Sequence, residues 1–205
     1  MRQLRGHSAG AWLGLGTMAA LVAACEPPGP TSENALDPRV ESSGRELLGA
    51  WYGELNGNEA FVHVVETDDG NLKTVVVGRQ GPKSEWGLAT VIPAKINGTS
   101  FLSVKQEQGK SVEENYLIVR FRTSRDKRHI SIYAMDNDMV VNAIKNHAIE
   151  GRTGREATAT LSAEPGELVR FIESSAAQDL FSVQVGYLER VSDEDMPPLD
   201  PINKL

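Results

Sequence analysis

From Gly49 to Ala134 the chain alternates short runs of β-branched and aromatic residues with dipeptides suited to tight turns, a rhythm that leaves little room for anything but an antiparallel sheet. The pattern predicts strands over Gly49–Leu55, Ala60–Glu66, Leu72–Gly78, Glu85–Ile92, Ser100–Gln106, Asn115–Thr123 and Arg128–Ala134, with two more at Ala157–Ser162 and Ser182–Val191. Between them stand Asn56-Gly57-Asn58, Asp68-Asp69-Gly70, Gly81-Pro82, Asn97-Gly98 and Gln108-Gly109. Asn-Gly and Asp-Gly supply the positive φ that hairpins need, so neighbouring strands are expected to pair as a meander. Period two offers inward sets such as Leu117, Val119 and Phe121 or Ile130, Ile132 and Ala134, without deciding which of them faces in.

Two segments change period. In Asp138–His147, the residues Met139, Val140, Ala143, Ile144 and His147 share one face at helical spacing, with Asp138 placed to cap the N-terminus. In Glu164–Ala176, Pro165 occupies a first-turn position, Glu164 and Glu167 suit the positive end of the helix dipole, and Leu168, Phe171, Ile172 and Ser175 form a stripe. This second helix is expected to pack across the outside or the open end of the sheet. The reading is a single, mainly β domain over residues 46–191, an antiparallel up-and-down barrel or sandwich with two short helices, and its length suits one core.

The flanks are different. Residues 25–45 hold Pro27, Pro28, Pro30 and Pro38 with only Ala35, Leu36 and Val40 apolar, which predicts a flexible linker that holds the domain off its attachment point. Residues 192–205, with Pro197, Pro198 and Pro201, predict a disordered tail. At the start, Arg2 and Arg5 precede a stretch without charge from Ala9 to Ala24, built on Ala11, Trp12, Leu13, Leu15, Met18, Leu21 and Val22. It is shorter than the ~20 residues a permanent span needs, and Gly14 and Gly16 weaken it as a helix. Residues 1–24 therefore read as a signal peptide.

Val22-Ala23-Ala24-Cys25 resembles the lipobox of bacterial lipoproteins. The resemblance implies cleavage between Ala24 and Cys25 and attachment of acyl chains, palmitate among them, to Cys25. It also implies a membrane held through that lipid anchor as partner. Cys25 is the only cysteine, so an exported chain has no internal disulfide to make, and modification removes a free thiol from an oxidising compartment. Glu26 follows it. In the sorting rule of enteric bacteria an aspartate at that position retains the protein at the inner membrane, so its absence implies the outer membrane, with the domain facing the periplasm.

Charge excludes some partners. The net charge is −7, and removing residues 1–24 takes away Arg2 and Arg5 but no acid, leaving 19 basic against 28 acidic residues. Such a balance opposes nucleic acid, whose phosphates demand a basic face, and gives no general grip on anionic lipid. The basic run Arg120, Arg122, Arg125, Lys127 and Arg128 reads as solvated faces and a hairpin tip, with a local anion or headgroup contact as its functional alternative.

Gly49-Ala50-Trp51 opens the first expected strand. It resembles the Gly-x-Trp signature of lipocalins and related calycin barrels, in which the tryptophan plugs the closed end of eight up-and-down strands. That resemblance implies a base built on Gly49 and Trp51, with Arg190 as the late arginine that covers the tryptophan. Without it, Trp51 is simply a core aromatic on the first strand. The lipocalin Thr-Asp-Tyr motif is absent around Arg125–Tyr133.

Nothing points to a catalytic or metal centre, or to a cofactor. His7, His63, His129 and His147 lack ligand spacing, and Asp136-Asn137-Asp138 lacks the glycine and distant glutamate of a calcium loop. No nucleophile elbow, phosphate loop or His-Glu-x-x-His pair occurs. Two functions compete: a lipid-anchored module that binds a small apolar molecule or lipid, and a structural lipoprotein with a filled core that recognises an envelope protein. An enzyme of another kind comes third.

Overall fold

The computed structural model describes residues 29–36, 44–68, 71–80, 83–108, 114–154, 158–174 and 177–192. The signal segment 1–24, the cleavage site with Cys25, and the tail beyond Ser192 lie outside them. The strands are β1 (Thr31–Ser32), β2 (Gly49–Leu55), β3 (Asn58–Glu66), β4 (Leu72–Gln80), β5 (Lys83–Ile96), β6 (Thr99–Gln108), β7 (Tyr116–Thr123), β8 (His129–Ala134), β9 (Gly151–Thr153), β10 (Ala159–Leu161) and β11 (Val183–Arg190). A 3-10 turn at Arg45–Leu47 precedes β2, and the helices are α1 (Asn137–Lys145), α2 (Pro165–Ser174) and the short α3 (Ala177–Leu180).

Each strand from β2 to β8 pairs antiparallel with the next, and β11 pairs with both β8 and β2. Eight antiparallel strands therefore close into a calycin-like barrel, and the sandwich alternative falls away. Closure leaves each of these strands with a hydrogen-bonded neighbour on both sides, which removes the exposed edges an open sheet would present. The turns that drive the meander behave as their residues dictate: Asn56, Gly57, Asn97 and Gly98 all take positive φ.

Period two sorts the strands between two cores. Leu117, Val119 and Phe121 face into the barrel with Ile130 and Ile132, so both candidate sets contribute inward residues. They meet Trp51, Val62, Val64, Leu102 and Leu188 there. The alternate residues Phe101 and Ile118 face outward and are covered by Val140 of α1 and by Leu168 and Ile172 of α2, with Phe181 tilted against Phe101 at 5.1 Å. The stripe on α2 thus packs on the outside of the wall. Asn137 ties α1 to β10 by accepting a hydrogen bond from the Ala159 amide at 3.0 Å.

Three expectations change. The segment expected as a flexible linker over 25–45 is, in its described part, docked. Thr31 and Ser32 of β1 pair antiparallel with β7 and parallel with β10, and Leu36 is fully buried in the outer core. Composition understated this stretch because one leucine entering a formed pocket contributes about 1.5–3 kcal/mol. Neighbouring polar groups also meet partners: Ser103 Oγ accepts from the Leu36 amide at 2.9 Å and Asn34 Nδ2 donates to the Ala163 carbonyl at 3.1 Å. The cap of α1 is Asp136, whose side chain accepts from the Met139 amide at 3.0 Å, while Asp138 is exposed in the first turn. Finally, Arg120 is not on a solvated face. It is buried under the segment around Phe181, donates to that residue's carbonyl at 2.8 Å, and lies 4.8 Å from the centre of the Tyr133 ring. Burial, with Arg122 nearby, lowers its pKa from the ordinary arginine value.

Candidate functional site

One end of the barrel is closed by a unit that joins Gly49, Trp51 and Arg190. Register makes Arg190 the direct cross-strand partner of Trp51, so both side chains lie on the same face of neighbouring strands. The guanidinium stands 4.2 Å from the centre of the fully buried indole, an arrangement attractive because the ring face carries negative electrostatic potential. Its fork is spent on three carbonyls: Leu48 at 2.8 Å, Glu46 at 2.8 Å and Lys127 at 3.2 Å. Trp51 Nε1 donates to the Leu47 carbonyl at 2.7 Å, which holds the 3-10 turn under the barrel with the Leu47 side chain buried in its interior. Gly49 sits at φ +110°, and a Cβ there would come within 3.0 Å of Arg190 Nη1.

Above this base the interior is not filled. A cavity of about 190 Å³ runs from Leu47 and Trp51 to Leu55, Asn56 and Val185 at the far end of the barrel. Its walls are aliphatic, with Val76, Val91 and Val104 typical, and Thr74 and Asn56 are the polar side chains among its lining. Its size and lining resemble those of an engineered apolar cavity of ~150 Å³ that takes small apolar guests. It is smaller than the roughly 300–1,000 Å³ of sites for drug-sized ligands, so a ring or a stretch of one hydrocarbon chain is the scale of guest it suits. The alternation along β4, β6 and β7 carried a signal for these residues, but only closure tells which alternate set faces in.

The other candidate residues lie apart from the cavity. His63 on β3 is exposed, His129 on β8 stacks on Tyr187 outside the wall with centres 5.6 Å apart, and His147 follows α1. Among the described residues no three His, Cys, Asp or Glu side chains gather as a metal site, and no helix is long and apolar enough to cross a membrane. Arg125, Lys127 and Arg128 form the exposed tip of the β7–β8 hairpin, beside the base. There Asp126, held below the usual carboxylate range by hydrogen bonds from Ser124 and the Arg128 amide, shapes the turn.

Strand order and closure define the class, a closed eight-stranded antiparallel barrel that is calycin-like in plan. No protein-family model matches the chain, and neither does a curated protein or a solved structure.

Proposed function

We propose that this protein is a lipid-anchored envelope lipoprotein whose barrel binds a small apolar molecule or a lipid chain. The observation that carries the binding reading is the aliphatic cavity of about 190 Å³ above a base sealed by Trp51, Leu47 and Arg190. Burying apolar area is worth ~25 cal/mol per Å², and a site with so few polar groups selects on shape and apolarity. The anchor reading rests on the charge-free run before Cys25 and on the lipobox resemblance at Val22-Ala23-Ala24-Cys25. It carries with it export, cleavage after Ala24 and residence at the outer membrane facing the periplasm.

Trp51 lines the cavity and Trp86 is exposed on the outer wall, so Trp86→Phe leaves one reporter inside the barrel once the signal with Trp12 is gone. A nitroxide-labelled fatty acid should quench Trp51 emission saturably, and native mass spectrometry should find a retained lipid. Filling the cavity with Val76→Phe and Val104→Phe should abolish the quenching while leaving the circular dichroism unchanged. Linear, non-saturating quenching in the parent and no retained lipid would discard the ligand reading. For the anchor, Cys25→Ala should lose fatty-acid labelling and leave the membrane fraction, because stable attachment needs more than one acyl chain at ~0.8 kcal/mol per CH₂.

A second reading, an interaction lipoprotein, is favoured by one feature of the surface. Tyr52, Phe61, Val77 and Trp86 are successive cross-strand partners on β2 to β5 and form an exposed apolar row on the side away from the helices, Trp86 being 59 % and Tyr52 49 % exposed. Photo-crosslinking from position 86 in cells distinguishes this reading by yielding one envelope protein as a discrete adduct.

A further inference from the structure

The point at which the chain enters the domain constrains how the barrel sits on a membrane. Gly29 lies against the end of β8: a Cβ there would come within 3.2 Å of Ala134 Cβ and 3.0 Å of the Met135 carbonyl oxygen. Ala134 pairs with Val183, the first residue of β11, and Val185, two residues further on, lines the far end of the cavity. The docked segment therefore joins the barrel at the rim opposite Trp51 and Arg190. From there it is committed to the wall: β1 pairs with β7 at Tyr116 and Leu117, beyond the stretch of β7 that β8 occupies.

Only Glu26, Pro27 and Pro28 separate Cys25 from Gly29. Four residue steps span at most about 14 Å even when fully extended. A barrel strand such as β3 or β4, at ~3.3 Å per residue, is roughly twice that length, so the two ends of the barrel cannot both be equally near the attachment point. Exposed apolar side chains stand at this same rim: Val183 is 40 % exposed, and Met139, in the first turn of the helix that follows Met135, is 39 % exposed. Charge does not explain the approach, since Asp136 and Asp138 also stand there. The basic tip at Arg125, Lys127 and Arg128 is at the other end.

We infer that the far end of the barrel, where Leu55, Asn56 and Val185 line the cavity, is held against the bilayer by the short connection from a lipidated Cys25, with the Trp51–Arg190 base turned away from it. The inference rests on the anchor proposed above. It replaces a domain on a long tether, free to tumble, with one pinned at the end of the barrel opposite its base. The basic hairpin tip then points into the aqueous space.

The test uses the full-length, processed lipoprotein in vesicles of phosphatidylethanolamine and phosphatidylcholine containing a headgroup-nitroxide lipid. With Cys25 acylated, an introduced cysteine is the one free thiol to carry a bimane label. Labels at Val183→Cys and Met139→Cys should lose much of their emission, and a label at Arg125→Cys on the basic tip should keep it. Two rim positions guard against either variant failing to fold. Inserting about 12 Gly and Ser residues between Pro28 and Gly29, with a mean reach of roughly 20 Å, should remove the difference. Protein that co-sediments with vesicles but shows equal quenching at both ends, or more at 125, overturns the orientation and leaves the anchor standing. Protein that neither takes up fatty acid nor co-sediments removes the anchor, and the orientation with it. The saturable quenching of Trp51 in detergent-free soluble protein is independent of both.

Discussion

Gly49, Trp51 and Arg190 depend on one another at the base, each for a different physical reason. Gly49 is required by its φ of +110° and by the nearness of Arg190, while Trp51 fills the end of the barrel and anchors the 3-10 turn through Leu47. Trp51→Ala should cost about 3–5 kcal/mol in denaturant unfolding, as expected for a large buried side chain that leaves a cavity behind it. Arg190→Lys should not restore the wild-type stability, because an ammonium cannot reproduce a planar fork spread over three carbonyls while stacking on the indole. Gly53 is needed for a different closeness: a Cβ there would lie 2.2 Å from the Tyr187 carbonyl oxygen, where β2 meets β11 to close the barrel. Gly53→Ala should destabilise by about 1–3 kcal/mol, the usual cost of overpacking, and a melting temperature unchanged from wild type would show that the strands part more easily than this contact suggests. Gly49 and Trp51 were legible in the sequence through a two-residue signature, and Arg190 only through the family resemblance. Gly53 had no legible role, since its constraint comes from a strand at the opposite end of the chain.

At the scale of elements, β1 and the residues after it decide where the domain begins. Leu36→Ala should cost about 2–5 kcal/mol, and a chain starting at Gly44 should unfold at lower denaturant than one starting at Gly29, because the first loses both the leucine and the pairing of Thr31 and Ser32. Equal midpoints would return residues 29–36 to the status of a linker. The outer wall carries a smaller device. Lys73 on β4 and Thr90 on β5 both donate to Glu107 on β6, and these hydrogen bonds, Lys73's first, hold the Glu107 carboxyl below its ordinary value. A depressed carboxylate contributes stability that is present above the unfolded pKa and is lost as the pH falls through the folded one. Lys73 and Glu107 are each about a third exposed, at 32 % and 36 %, so solvent screening limits the pair to ~1 kcal/mol or less. Glu107→Gln should therefore lower neutral-pH stability slightly and flatten the acid limb of a stability profile, with the two proteins converging below the glutamate range. Strands and both longer helices were legible at this scale, because period and turn chemistry are local. β1 and β9 were not, since strands of two and three residues have no period and exist only because β7 and β10 offer them partners.

For the whole molecule, far-ultraviolet circular dichroism should be dominated by strand with a minor helical part, and a helix-dominated spectrum would be incompatible with the barrel. Turn pairs and alternation are properties of adjacent residues, and from them the sequence by itself determined an antiparallel meander, a helix at each change of period and the candidate strand faces. Which face points inward, whether the meander closes and how full its interior is depend on contacts between residues far apart in the chain. Those were decided by β11 inserting between β2 and β8, by the helices covering one side of the wall, and by the base sealed with Trp51 and Arg190. Arg120 shows the physical reason most simply. As sequence it belongs to a basic run and reads as solvated; in the fold, its outward position on β7 is roofed by the segment at Leu180 and Phe181, so a charge is buried by neighbours that no local pattern announces.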